Sequence, residues 1–184
     1  MQAGGPRHFG FTQDHVALLC ASHSGEPMHV QAAQEMLEKA GQTYQVLRCG
    51  CHVPYHFEIC GTAPSPHESF DERYNNCSGK HAGFVAYCVQ HGNSLANYEA
   101  PDHPLQQAIR RDVARAVGMD ANDLKLGIDG CSAPNYAMPL SKLATGYARL
   151  ASGAQDSELG ESFATLADAM TARWQAEKKV LDET

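Results

Sequence analysis

The chain has 184 residues, of which 43% are hydrophobic and 19% charged, enough apolar content for a packed core and too much for a disordered chain. A formal net charge of −7 leaves no room for the basic face that a sequence-independent nucleic-acid binder needs, and no apolar run approaches membrane-spanning length. Seven cysteines without regular spacing fit reduced thiols better than a disulfide framework, and residues 1–6 lack the apolar core of a signal peptide, so a cytoplasmic protein is expected.

Residues 1–10 are rich in Gly and Pro and read as a connection rather than a core element. Thr12 is placed to cap a short helix carrying Val16, Leu18 and Leu19. Residues 20–27 form a small, polar loop that holds Ser22 and Ser24, and Pro27 suits the first turn of the next helix. As bare residues, the two serines are equally cap and turn hydroxyls. Val30, Ala33, Leu37 and Ala40 recur at helical spacing before a stop at Gly41. The run Cys49-Gly50-Cys51-His52, followed by His56, offers soft metal ligands. Pro54, however, interrupts any helix that would align His52 with His56, and no second Cys pair completes a structural site. Residues 63–74 read as a loop.

The stretch Asn75-Asn76-Cys77-Ser78-Gly79-Lys80-His81-Ala82-Gly83 concentrates a thiol, a hydroxyl, an amine and an imidazole. Asn76 can cap a helix here, with Cys77 in its first turn and Lys80 three residues on along the same face. The helix continues through Phe84, Val85 and Cys88 to Gly92. Residues 98–104 form a second loop, and Asp102 or His103 caps a helix bearing Leu105, Ile109, Val113 and Val117, closed by Gly118. Leu124, Leu126 and Ile128 alternate as a strand that runs into Gly130-Cys131-Ser132-Ala133-Pro134, a thiol at a loop mouth. Leu140, Leu143, Ala144 and Tyr147 mark an amphipathic helix. Phe163, Leu166, Ala167, Met170 and Trp174 mark a longer one, and the last ten residues are charged and lose the pattern.

Cys77, Lys80 and Cys131 could form an open zinc site, with Asp129 orienting a ligand from behind. Two buried thiols on unrelated elements are the plain alternative. Several templates fail: there is no phosphate-binding loop at Gly79-Lys80, no Gly-x-Ser-x-Gly elbow and no Ser-x-x-Lys anywhere in the chain.

With these blocks assembled, the chain resembles the L-asparaginase II family, which includes the inducible rhizobial-type asparaginases. The resemblance rests on Ala21-Ser22-His23-Ser24-Gly25-Glu26, on Cys49-Gly50 with His52 and Pro54, on the 75–83 stretch, on Asp102-His103-Pro104-Leu105-Gln106 and on residues 127–134. It extends from about Phe9 to Leu150. It implies an α+β fold akin to serine β-lactamases and glutaminases, an antiparallel sheet flanked by helices. It also implies hydrolysis of L-asparagine to L-aspartate and ammonia, zinc held by Cys77, Lys80 and Cys131, Ser22 as a catalytic hydroxyl and His81 at the substrate. A homodimer is compatible with it. The family's Ser-x-x-Lys motif precedes the Ser22 block, so residues 1–184 are expected to form a single domain of this type that lacks that N-terminal segment and the family's C-terminal part. Two function classes follow: an amidohydrolase, or a zinc- or amino-acid-binding module with little or no hydrolysis. A Cys77 nucleophile activated by Lys80 is a third reading.

Overall fold

The computed structural model describes residues 4–182, with side chains through residue 172; the side chain of Trp174 lies outside them. Among the described residues the fold is mixed, with eight helices and one small antiparallel sheet. In chain order the helices are α1 (Gly5–His8), α2 (Gln13–Leu19), α3 (Pro27–Lys39), α4 (Tyr55–Ile59), α5 (Ser78–His91), α6 (Pro104–Val117), α7 (Leu140–Ser152) and α8 (Gly160–Asp182). Strands β1 (Lys125–Ile128) and β2 (Pro134–Ala137) pair between α6 and α7, with Lys125 opposite Ala137 and Ile128 opposite Pro134.

Local chemistry sets most boundaries. Thr12 and His15 form a reciprocal cap at the start of α2: Thr12 Oγ1 accepts the His15 N–H, and His15 Nδ1 accepts the Thr12 N–H. Pro27 and Pro104 occupy the first turns of α3 and α6, where a missing N–H costs nothing. His103, rather than Asp102, caps α6 through an Nδ1 that accepts the Leu105 N–H. Gly92 and Gly118 end α5 and α6 in the left-handed conformation. The cap of α5 differs from the expectation: Cys77 holds the cap position, not Asn76, and Asn75 Oδ1 accepts the Cys77 N–H at 2.8 Å. Asn75 also donates from Nδ2 to the Cys49 carbonyl at 2.9 Å, which docks the 49–52 segment beside the helix start. The 1–10 connection contains the single-turn α1, and α4 begins directly after Pro54, so His52 stands outside it.

The core lies between α2, α3 and α5. Leu18, Met36, Leu37, Ala82, Val85, Cys88, Tyr98 and Leu105 form one buried cluster, which Cys77, Cys131 and Ala133 join. A smaller cluster of Ala114, Val117 and Leu124 packs under Tyr136 and Met138. The loop between β1 and β2 thereby reaches the main core, although its strands belong with the smaller one. Helix α7 forms as expected but turns its apolar stripe outward: Leu140, Leu143 and Tyr147 are exposed. It meets its neighbours through other residues. Gly146 abuts Val117, and the Arg149 guanidinium reaches the Ala116 carbonyl at 3.0 Å and Asp156 at 2.8 Å.

Candidate functional site

The start of α5 and the β1–β2 loop build one cluster. Asp129 shapes the loop: its Oδ1 accepts the Gly130 N–H at 2.7 Å, its N–H donates to the Ala133 carbonyl and its own carbonyl accepts the Ser132 N–H. Ser132 adopts a left-handed φ of 70°, which a side chain rarely takes, and this tight turn presents the buried Cys131 to the helix. Opposite it, Cys77 sits at the cap of α5. The two sulfurs and an Asp129 carboxylate oxygen all lie within 4.8 Å of one another. Lys80, one turn into α5, brings Nζ to 3.4 Å from Asp129 Oδ2. The sequence-predicted Cys77, Lys80, Asp129 and Cys131 thus converge, although 49 residues separate Lys80 from Asp129. Asp129 is as close to the sulfurs as a ligand would be, not set behind them.

The charges of this cluster are coupled. The hydrogen bond between the thiols acts in opposite directions on its two ends. It raises Cys77, and burial raises that thiol further. It lowers Cys131 against the effect of burial, with His81, the Ala133 backbone and Lys80 adding to the fall. Cys131 Sγ also meets Asp129 Oδ2 at 3.6 Å. Burial draws the Lys80 pKa down, but the sulfurs of Cys131 and Cys77 and the Asp129 carboxylate outweigh it, so the group remains an ammonium. Two soft sulfurs and a carboxylate suit zinc. Lys80 would join them only by giving up its proton.

His81 is fully buried. Its Nδ1 lies 2.8 Å from the Tyr98 hydroxyl, and its buried Nε2 has no hydrogen-bond partner. It is enclosed in the core, not on an open surface. Tyr98 was not singled out by the sequence. The only available signal was a single Tyr or Phe in the polar stretch 92–103.

Ser22 lies elsewhere. It is exposed and lines a cleft of about 650 Å³ with Cys20, His23, His29, Tyr55 and Met170. The lining of this cleft includes neither Cys77 nor Cys131. The two regions touch through His23, whose N–H donates to the Asn76 carbonyl at 3.1 Å and whose Nε2 lies 2.9 Å from Ser78 Oγ. His23 Nδ1 accepts the Gly25 N–H, so Nε2 carries the ring proton and donates to Ser78. Ser78 in turn donates to the Arg73 carbonyl at 2.7 Å. With both nitrogens engaged, His23 is not a base for Ser22 or for Ser78.

The 49–52 run does not gather ligands. Cys49 donates to the Glu72 carbonyl, and burial pushes its thiol up to about 12. His52 donates from Nδ1 to the Val53 carbonyl and accepts the Asn76 N–H at Nε2. Among the described residues these side chains belong to no metal-ligating group.

In comparison with known proteins, the family model described as L-asparaginase II matches residues 1–176. No curated protein matches the chain.

Proposed function

Since the chain belongs to the L-asparaginase II family, we propose that it is an amidohydrolase that converts L-asparagine to L-aspartate and ammonia. The match over 1–176 carries this reading, and the cluster around Cys77, Lys80, Asp129 and Cys131 supports it. In the proposed reaction Ser22 Oγ adds to the side-chain amide carbonyl. The C–N bond then breaks, ammonia leaves with a proton, and water hydrolyses the ester to regenerate the hydroxyl. Cys77, Cys131 and either Lys80 or Asp129 would hold zinc, which when bound supplies a fixed positive charge at the head of α5. Seven free thiols support a reducing, cytoplasmic setting, and no helix among the described residues is long and apolar enough to cross a membrane.

A second reading, a zinc- or amino-acid-binding module with little turnover, has one observation in its favour. The Ser22 proton needs an acceptor, and the adjacent His23 is committed to Gly25 and Ser78. A positioned base is worth ~10²–10⁴-fold. The 184-residue chain is therefore expected to turn over that much more slowly than the ~10 s⁻¹ of a typical enzyme. A coupled ammonia assay run beside calorimetric binding of L-asparagine separates the readings. Slow ammonia release that Ser22→Ala abolishes supports the hydrolase. Binding without ammonia supports the module, and neither signal overturns both.

A further inference from the structure

Among the described residues strand β1 pairs with β2 alone, which leaves its other edge open. Asp129 donates its N–H to the Ala133 carbonyl, and the register runs on from there: Ile128 faces Pro134, Gly127 faces Asn135 and Leu126 faces Tyr136. In an antiparallel ladder, opposed residues alternate between bonded and non-bonded pairs. Asp129 and Ala133 are a bonded pair, so Gly127 and Asn135 are bonded too, and the N–H and C=O groups of Leu126 and Ile128 point away from β2. Pro134 agrees with this phase, because it has no N–H to give Ile128. The two edges of the hairpin therefore differ. On the β2 side, Pro134 leaves the outer row one donor short. On the β1 side, Leu126 and Ile128 each present a donor and an acceptor, and they are 44% and 57% exposed. An apolar edge of this kind is a template for a further strand.

We propose that β1 pairs with β1 of a second copy, antiparallel about a two-fold axis at Gly127, so that two hairpins join into one four-stranded sheet. The strand is self-complementary in this register. Leu126 exchanges both backbone bonds with Ile128 of the second copy, and the symmetric pair repeats them. The same alignment sets Lys125 opposite Asp129 of the second copy, twice, and opposite charges so placed attract. Centring the axis on Leu126 or on Ile128 would set Lys125 against Gly127 or Cys131 instead and lose both charge pairs. Gly127 meets itself at a non-bonded position, where Cα atoms approach to about 4.5 Å, and it carries no side chain to obstruct the contact. The Asp129 side chain is 43% exposed and can take this second cation beside Lys80. Each copy thus contributes Lys125 to the margin of the other's thiol–carboxylate cluster. The pairing does not depend on the hydrolase reading.

Sedimentation equilibrium of the full chain should show monomer at ~1 µM passing to dimer at ~500 µM, since so short a contact falls well below the ~1,600 Å² of a standard interface and binds weakly. Hydrogen exchange of the wild type reads the register. The amides of Leu126 and Ile128 should slow ~10-fold from the dilute to the concentrated sample, while Gly127, already bonded to Asn135, should not change. Ile128→Pro removes one outward donor and should abolish the dimer. Lys125→Glu sets like charges opposite each other and should weaken association ~10-fold at low salt, a difference that about 0.5 M salt erases. A wild type still monomeric at the highest concentration overturns the proposal. So does a dimer whose Leu126 and Ile128 amides exchange at the monomer's rate, which would place the contact elsewhere, such as on the exposed Leu140, Leu143 and Tyr147 of α7. Association of Lys125→Glu equal to that of the wild type at low salt overturns the register.

Discussion

At His23, protonation and the native structure are in conflict. Nδ1 accepts the Gly25 N–H, and a protonated ring would set two donors against each other. Burial, with smaller contributions from His29 and His52, pushes the pKa from the ordinary 6.5 down to about 4. Between those values the unfolded chain takes up a proton that the folded chain refuses, so stability is full above about pH 6.5 and falls as the pH drops towards 4. The total loss is roughly 3 kcal/mol, at 1.36 kcal/mol per pH unit. Urea unfolding at pH 7 and pH 4.5 should show this drop in the wild type and a shallower one in His23→Gln. A wild type equally stable at both values would contradict it. The sequence made Cys77, Lys80 and Cys131 legible because reactive side chains clustered in short blocks. It did not reveal the partners that set their states. Tyr98 lies 17 residues from His81 and Arg48 lies 50 from Tyr98, and no local periodicity links such distances. The commitment of His23 was hidden for the same reason, since Ser78 is 55 residues away.

Helix boundaries were readable where one residue decides them, as at Thr12, Pro27, Pro104, Gly92 and Gly118. What each helix face meets was less so. The apolar residues of α7 predicted a buried stripe, yet they lie outside, because Gly146 and Arg149 make the contacts. Strand β2 begins at Pro134 and has only four residues, too short to show an alternation. The close approach of α5 to α2 was likewise invisible, and it depends on two glycines that differ in what surrounds them. A Cβ on Gly79 would stand 2.8 Å from the Leu18 carbonyl oxygen and 2.5 Å from Leu18 Cγ, so backbone must move. A Cβ on Gly83 would meet Leu19 Cδ2, the far end of a side chain that can turn aside. Helix propensity favours alanine at both by up to ~1 kcal/mol. Gly79→Ala should nevertheless destabilise by about 1–3 kcal/mol from overpacking, while Gly83→Ala should stay within about 1 kcal/mol of wild type. Chemical denaturation of the two variants checks this, and equal effects would show that the α2–α5 contact yields as readily at backbone as at a side-chain tip.

Across the whole molecule, helical spacing and one alternating strand marked separate elements and the family resemblance implied the α+β class, whereas the extent of the sheet, two strands among the described residues, was not readable. This matters for how the molecule holds together. The β1–β2 hairpin packs with the smaller apolar cluster, through Leu124 and Tyr136, and only its loop, through Cys131 and Ala133, enters the main core. The thiol–carboxylate cluster is thus the point where the hairpin is pinned to α5. A metal that binds Cys77 together with Cys131 and Asp129 would cross-link two segments about fifty residues apart in sequence, and it can do so only in the folded chain. Binding to the native state alone stabilises by about 4 kcal/mol when free metal exceeds its dissociation constant a thousandfold. For a chain of this size each kcal/mol raises the midpoint by about 2–4 °C. Zinc should therefore raise the thermal midpoint by roughly 8–16 °C on that scale. A chelator should reverse the shift, and Cys131→Ala should abolish it. Asp129→Asn should reduce it if the carboxylate ligates and spare it if Lys80 does. A zinc-dependent shift that persists in Cys131→Ala would place the metal at some other group, and the hairpin would then owe its position to apolar packing alone.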